Sequence, residues 1–381
     1  MAAKETQGTT MGQTEKNQSG TSHAMVDATL PPAQTPLVSI IVPARNEEAS
    51  LATCLESLIA QTGVSFEIIV VDDHSTDSTR EIATSFASVR VIEAAQLPPG
   101  WTGKNNAVTT GAREARGHWL LFTDADTIHL PGSLAAALQE ATDNSAELLS
   151  YSPEQIAASF WEMATLPVVF AELARQYPPA KVSDPTSPVV AANGQFILIR
   201  RETYEAVGGH SAIAGDILED VALARAVKTS GRKIRFRYAP TVVRTRMYRN
   251  YRQLRDGWTK NLVLLFPNPG WLAAKTLLWW TLAWGSLFLF LAAPHRPWWW
   301  ISIPVALLLA LRNRLNRANF TWDITALGMV FGIPMFAYLL LRSKRAYASG
   351  NVTWKGRTYD PKDRPLAALG DHIPTPAGRL L

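Results

Sequence analysis

Two aspartates one residue apart, Asp124 and Asp126, follow directly on the apolar run Trp119 to Phe122. Such a run reads as a buried strand, and groups at the carboxyl end of a strand in an open α/β sheet face the crevice where ligands bind. Two carboxylates there can hold a hard divalent cation, magnesium or manganese, whose other positions commonly go to phosphate oxygens. The competing reading is local, because Asp-x-Asp also caps the turn that follows a strand. A second acidic strand end bears on the choice: FEIIVV runs into Asp72 and Asp73. Adjacent parallel strands would bring both ends to one crevice, where Asp73 could accept from a base imide or a ribose hydroxyl. A third pair, Glu219 and Asp220, opens the amphipathic pattern Ile217 to Val227, and on local pattern alone an Asp there serves the helix dipole.

The elements that must position these groups alternate. LVSIIVPARNEE, from Leu37, is a strand running into a polar turn, and Ala49 to Gln61 carries Leu51, Leu55, Leu58 and Ile59 at helical spacing. The strand before Asp72 leads to a helix through Phe86, capped by Asp77 or Ser78, and then to a short strand, Val89 to Ile92. The loop LPPGWTGKNNA enters a helix ending at Arg116, just ahead of the central strand. Alternation of this kind predicts an α/β fold, a mostly parallel sheet with helices on both faces. No GxGxxG follows the first strand, which argues against a dinucleotide oxidoreductase, and the missing GxxxxGK[ST] argues against a P-loop phosphotransferase.

In order along the chain, PARNEE, VVDDHSTDS, GWTGKNNA, TDADT, NGQFILIRRETYEAVGGH and ILEDVALARAVKTSG resemble family 2 glycosyltransferases of the GT-A (Rossmann-like) fold, over roughly residues 37–265. The resemblance implies that Pro43, Arg45 and Glu47 border a nucleoside and that Asp73 contacts its base. It further implies that Lys104 lies near a diphosphate, that Asp126 with Asp124 binds a metal, and that Asp220 is the catalytic base, with Glu219 beside it. One base without a separate nucleophile favours direct displacement with inversion. Gly208 and Gly209 read as a tight turn, and His210 as a loop residue.

Residues 248–261, YRNYRQLRDGWTKN, lack the QxxRW string of processive members and, like LPPGWTGK, resemble members that glycosylate lipids, including those linked to hopanoid and carotenoid pathways. There Trp258 would wall the acceptor or sugar pocket, and Lys260 or Arg255 would meet diphosphate oxygens; an amphipathic basic helix on anionic lipid is the competing reading for each arginine.

Composition agrees with a lipid setting. Residues 200–260 hold 14 Lys or Arg against 6 Asp or Glu, an excess larger than the net +5 of the whole chain. Membrane-like sequence follows this basic stretch, which disfavours nucleic acid as its partner. With Cys54 alone, no intramolecular disulfide can form, as expected of a protein part in a reducing compartment. Residues 156–173 form an apolar helix interrupted near Pro167, read as core. Thr276 to Ala293 is uncharged and long enough, extended back to Trp271, to span a bilayer. Trp298, Trp299 and Trp300 open a second, shorter apolar segment to Leu311. A third, Ile324 to Leu341, would put Arg342, Lys344 and Arg345 outside if it crossed. Gly332 and Pro334 at its middle predict a re-entrant or interfacial hairpin that keeps them inside.

The expected layout is a disordered leader at 1–36, a GT-A domain at 37–265, a multi-pass membrane region at 266–345 and a juxtamembrane tail at 346–381. Trp354, Lys355 and Arg357 in that tail would bind headgroups or help close the site. The expected activity is metal-dependent transfer of a sugar from a nucleoside-diphosphate sugar to a lipid, at the inner membrane, with the catalytic domain in the cytoplasm. Alternatives are a polysaccharide or polyprenyl-phosphate transferase, a nucleotidyltransferase, and a noncatalytic sensor of nucleotide-sugars.

Overall fold

Strands β1 (Val38–Ala44), β2 (Phe66–Asp72), β3 (Val89–Glu93) and β4 (Trp119–Phe122) form parallel pairs in the order β3-β2-β1-β4. Their residues alternate between two cores: Ile40, Val42, Val70 and Leu121 face one, and Ile41, Val71, Leu120 and Phe122 the other. Continuous apolar runs suit strands buried on both faces. Helices α1 (Leu51–Ile59), α2 (Thr79–Thr84) and α3 (Gly103–Glu114) connect them. The short β5 (Thr127–His129) follows the acidic pair, and α4 (Ser133–Asp143) then leads to β6 (Leu148–Ser152) and β7 (Glu154–Gln155). In a computed structural model of the chain, residues 36–293, 295, 297–318, 320–350, 352–354 and 357–359 are described. The expected leader, Lys355 and the far C-terminal tail lie outside them, as do the side chains of Trp354 and Arg357.

Helix α5 (Phe160–Gln176) passes through Pro167 without the expected interruption. Its two carboxylates, both 1% exposed, are paired: Glu162 with Arg246 at 3.1 Å, and Glu172 with Arg175 at 3.0 Å and Arg314 at 2.5 Å. Short α6 (Pro179–Ser183) precedes β8 (Ile197–Arg200), the one antiparallel strand inserted between β4 and β6. After α7 (Arg201–Ala206), left-handed Gly208 and Gly209 make the expected turn into α8 (Gly209–Ala212), where buried His210 hydrogen-bonds Tyr204. Then come α9 (Glu219–Thr229), β9 (Ile234–Tyr238) beside β6, and β10 (Val243–Thr245) between β5 and β7.

A third core joins α5 to the C-terminal helices α10 (Tyr251–Leu265), α11 (Pro269–Ala292), α12 (Ser302–Leu315), α13 (Trp322–Leu327) and α14 (Ile333–Ala348). Antiparallel β11 (Val352–Trp354) and β12 (Arg357–Tyr359) follow. The expected break at Gly332 and Pro334 is instead a π turn, Gly328–Gly332, inside one helical stretch of 27 residues, Trp322–Ala348. The reason lies in α5: a Cβ at Gly332 would fall on the Ala164 carbonyl, so the π turn makes room for that approach. Pro334 sits in the first turn of α14, where no amide hydrogen is needed. Trp280 and Trp284 donate their indole N–H groups to the Met329 carbonyl at 3.1 Å each, satisfying it and holding α11 alongside.

Both ends of this stretch touch the sheet domain. Near its start, Phe320, Thr321 and Ile324 line a cleft with Ser152, Gln155 and Tyr238. At its end, Tyr347 donates to the Lys260 carbonyl at 2.8 Å, and the Ser343 hydroxyl enters the backbone ladder of α10, donating to the Thr259 carbonyl (2.7 Å) and accepting from the Val263 amide (3.0 Å). The basic end of α14 therefore packs against α10, and the helical stretch reaches it without a chain reversal. The opposite faces remain apolar and exposed: Trp271, Phe288 and Leu289 on α11, Ile303 and Leu309 on α12, Trp322 on α13 and Phe331 in the π turn.

Candidate active site

The carboxyl ends of β1, β2 and β4 open into a pocket of about 260 Å³. Pro43, Arg45, Glu47 and Asp73 wall its first side; Arg45 Nη1 donates to the Asp73 carbonyl at 2.6 Å, tying the two strand ends together. Asp72 turns away, accepting from the Ser75 amide, so that Asp73 alone of its pair lines the pocket.

Asp124 and Asp126 line the pocket next to them. The turn that presents them is fixed from below. Thr127 donates to the Asp124 carbonyl at 2.8 Å and Thr245 to the Asp126 carbonyl at 3.2 Å. Thr123, Thr127 and His129 form a buried hydrogen-bonded cluster beneath it, in which burial pushes the His129 imidazole down to about 3 and keeps it neutral. Thr123 also donates to the Gln195 carbonyl at 2.9 Å, which couples this turn to the Asn193–Gln195 loop.

On the far side stands α9. Asn105, on α3, donates to the carbonyls of Ile213 (2.9 Å), Ala214 (2.9 Å) and Asp216 (3.1 Å), bracing the loop that starts α9. Lys104, its neighbour, reaches between the two sides, 2.7 Å from Asp124 Oδ1 and 2.6 Å from Glu219 Oε1. Burial works against its charge, but the two carboxylates prevail and raise its pKa well above the ordinary value. Burial raises and Lys104 lowers the Glu219 pKa, and the net direction is down. Asp220 goes the other way: burial and the Glu219 charge push it up to about 6 against the pull of Lys104. Among the described residues it accepts hydrogen bonds from two backbone amides, Gly194 at 3.0 Å and Val221 at 2.8 Å. Adjacent carboxylates with pKa values driven apart are what an enzyme needs to keep one charged and use the other for proton transfer.

Helix α10 closes the pocket with Gly257, Lys260 and Asn261, one helical face. Burial outweighs the nearby carboxylates and lowers the Lys260 pKa. Trp258 and Arg255, expected here, are not brought to it. Trp258 is 3% exposed and packs edge-on against Phe170 and Tyr248, and Arg255 pairs with Asp256 at 2.8 Å. Tyr248 takes the place expected of Trp258. Its ring lies so close to α10 that a Cβ at Gly257 would stand 2.5 Å from it. Sequence reasoning missed Tyr248, Asn193, Gly194 and Asn105, although NGQ and GKNNA were visible strings.

The donors at the end of β4 are carboxylate oxygens, a hard set that suits magnesium or manganese. Among the described residues no group of three or more His, Cys, Asp or Glu could hold an ion. Asp124 and Asp126 would therefore supply part of a coordination sphere and leave the rest to phosphate and water. The ammonium of Lys104 on Asp124 shows that this carboxylate attracts a cation in the protein alone.

Residues 39–208 match the family model described as glycosyl transferase family 2. A 4,4'-diaponeurosporenoate glycosyltransferase of Staphylococcus aureus (strain USA300) is 30% identical over 233 residues, 59% of this chain and 60% of that protein. The chain thus spans less than two thirds of the length of this relative. Among solved structures, the mannosyltransferase PcManGT from Pyrobaculum calidifontis in complex with GDP-Man and Mn2+ is 19% identical, covering 82% of this chain and 87% of that one at a TM-score of 0.48. S. aureus TarS 1–349 in complex with UDP-GlcNAc is 15% identical, covering 82% of this chain and 92% of that one at a TM-score of 0.41. The matched stretch holds Asp73, Lys104, Asp124 and Asp126, with Asp220 just beyond it. Residues 39–208 of this chain are thus similar to glycosyl transferase family 2.

Proposed function

We propose that this chain transfers a sugar, with inversion, from a nucleoside-diphosphate sugar to a lipid hydroxyl or carboxyl, using a divalent cation. The observation that carries the reading is the placement of Asp124 and Asp126 on one side of a single pocket and Asp220, raised to about 6, on the other. Pro43, Arg45, Glu47 and Asp73 would receive the nucleoside. A magnesium or manganese ion held by Asp124 and Asp126 would neutralise the departing diphosphate. Lys104 and Lys260 add positive charge on the same side, and Lys104 keeps Glu219 ionised. Asp220, committed only to backbone amides, is the group able to take a proton from an acceptor hydroxyl. With no second nucleophile in the scheme, the acceptor displaces the diphosphate directly.

The lipid acceptor is supported by the name of the S. aureus relative, which specifies an -oate acceptor, and by the apolar helices. Pro269–Ala292 and Trp322–Ala348 are long and apolar enough to cross a membrane by length and composition. Because both ends of the second touch the sheet domain, we place α11 to α14 along the inner-membrane surface. Their exposed apolar faces would lie in lipid and the catalytic domain (37–265) in the cytoplasm, with 266–345 as the membrane part and 346–381 as a juxtamembrane tail. The test is transfer by detergent-purified protein with a panel of nucleotide-sugars, host lipid extract, and manganese or magnesium against chelator. Metal-dependent release of nucleoside diphosphate that rises with lipid is expected. Pyrophosphate released from a nucleoside triphosphate would overturn the reading, as would donor binding without turnover that is indifferent to Asp220→Asn.

A further inference from the structure

Lys104 makes two charged contacts, and they serve different ends. Its ammonium lies 2.6 Å from Glu219 Oε1, where it keeps that carboxylate ionised, and 2.7 Å from Asp124 Oδ1, one of the two carboxylates offered to the divalent ion. An ammonium seated on a carboxylate offsets the charge that would draw a metal there, and two cations sharing one carboxylate repel each other. The end of β4 is thus already satisfied in part by a charge of the protein's own. That charge sits on a movable arm. Lys104 lies in the first turn of α3, whose backbone is pinned by the Asn105 amide donating to the Thr102 hydroxyl at 3.2 Å and by the Asn105 side chain donating to the carbonyls of Ile213, Ala214 and Asp216. Only the four-carbon side chain has to move, and it is 36% exposed. Asp124 is 29% exposed and Glu219 11%, so the Asp124 contact faces the open pocket and the Glu219 contact is the enclosed one. Gly194 packs over the enclosed contact, where a Cβ would stand 3.0 Å from Lys104 Nζ.

Charge decides when the arm moves. Among the described residues, three cations line the pocket against six carboxylates. A diphosphate entering alone meets an excess of negative charge, and a divalent ion entering alone meets Lys104 on Asp124. Each is held well only in the company of the other. We propose that Lys104 is a stand-in cation for the metal site, occupying Asp124 until a diphosphate draws its ammonium off that oxygen and frees Asp124 to act as a ligand beside Asp126. When the diphosphate departs, Lys104 returns to Asp124 and the divalent ion is released with the product. This rests on the metal-dependent transfer reading above and adds to it the order of assembly: the pocket takes its metal with the nucleotide and not before it.

The test titrates full-length protein in neutral detergent with Mn2+ alone, reading free Mn2+ by electron paramagnetic resonance. The melting temperature is followed in parallel with Mn2+, with UDP or GDP, and with metal and nucleotide together. Wild type should bind Mn2+ alone weakly, and its melting temperature should rise only when metal and a nucleotide are both present. Lys104→Gln should bind Mn2+ alone about tenfold tighter, from the loss of one competing charge-assisted contact, and should melt higher with Mn2+ alone. Lys104→Arg keeps the charge and should stay near wild type. Adding Asp124→Asn to Lys104→Gln should abolish the gained binding, which a general loosening of the pocket would not explain. Mn2+ affinity that is equal in wild type and Lys104→Gln, and dependent on Asp124 in both, overturns the stand-in and leaves the metal reading intact. Wild type that is stabilised as much by Mn2+ alone as by Mn2+ with nucleotide overturns it too, even where Lys104→Gln fails to fold. Mn2+ binding absent from every variant, with no joint effect of Mn2+ and UDP or GDP, overturns the metal-dependent reading and this proposal together.

Discussion

Burial first and the charge on Glu219 second hold the Asp220 carboxyl up at about 6, and Glu219→Gln isolates the second effect. With a pKa of about 6, Asp220 is about one-tenth ionised at pH 5 and nine-tenths ionised at pH 7. Transfer to a hydroxyl should therefore rise about tenfold over that interval and then level off. An unperturbed Asp would already be ionised throughout and give a flat profile. A Cβ at Gly194 would stand 3.2 Å from Glu219 Oε1 and 3.6 Å from Asp220 Cβ, so these two side chains lie within about 7 Å of each other. Two charges at that separation and an effective dielectric of about 20 repel by roughly 2.4 kcal/mol. Solvent at the partly exposed Asp220 reduces this to about 1 kcal/mol, close to one pH unit. Glu219→Gln removes the repulsion and frees Lys104 from one of its two partners, and both changes lower the Asp220 pKa. The acid limb should move from about 6 to about 5, measured as nucleoside diphosphate released in transfer to lipid extract, with donor binding followed at each pH as the control. For transfer to a hydroxyl, shown by mass analysis of the glycosylated lipid, a wild-type profile flat between pH 5 and 7, or a limb that stays at about 6 in the variant, would refute the argument. If the accepted lipid is a carboxylic acid, which arrives ionised, the rising limb should be absent even though Asp220 titrates.

Gly257→Ala should cost about 1–3 kcal/mol in thermal unfolding and reduce transfer at least tenfold, because its Cβ displaces the buried Tyr248 ring from the pocket wall. Glu172→Ala removes the buried partner of Arg175 and Arg314 and should destabilise the protein by about 3 kcal/mol; a melting temperature within a degree of wild type would contradict this. Arg255→Ala should leave the donor KM within about twofold while Lys260→Ala raises it about tenfold or more, since only Lys260 lines the pocket. A cysteine at His295 should resist a membrane-impermeant maleimide on intact cells and react after lysis, with Cys54 buried and silent. Labelling from outside would show that α11 and α12 cross the bilayer.

Asp73, Asp124 and Asp126 were legible in the sequence as strand-end residues, which a general rule of α/β sheets brings to one crevice, whereas Lys104 and Asp220 were singled out by the family resemblance alone. On α10 the sequence pointed to Lys260, which lines the pocket, but also to Trp258 and Arg255, which do not. The pocket face of this helix is Gly257, Lys260 and Asn261, and Trp258 lies about 100° round from Gly257, so a motif read without helical phase selects a residue that faces away from the pocket. Tyr248 became a pocket residue through a vacancy on another element, the missing side chain of Gly257, which local pattern does not reveal. The same holds for Gly332. Glycine and proline in mid-segment predict a break, but the carbonyl of Ala164 on α5 turns the pair into a π turn within a continuous helix.

The hydroxyl of Ser343 bridges the Thr259 carbonyl and the Val263 amide of α10, across the turn that carries Lys260 and Asn261. Cutting the chain before α13 would remove this bridge and bare the turn that carries two residues of the pocket wall. Purification strategies that discard the apolar C-terminal helices would thus discard a support of the pocket wall, and a shortened product that still folds would be expected to bind a nucleotide-sugar poorly.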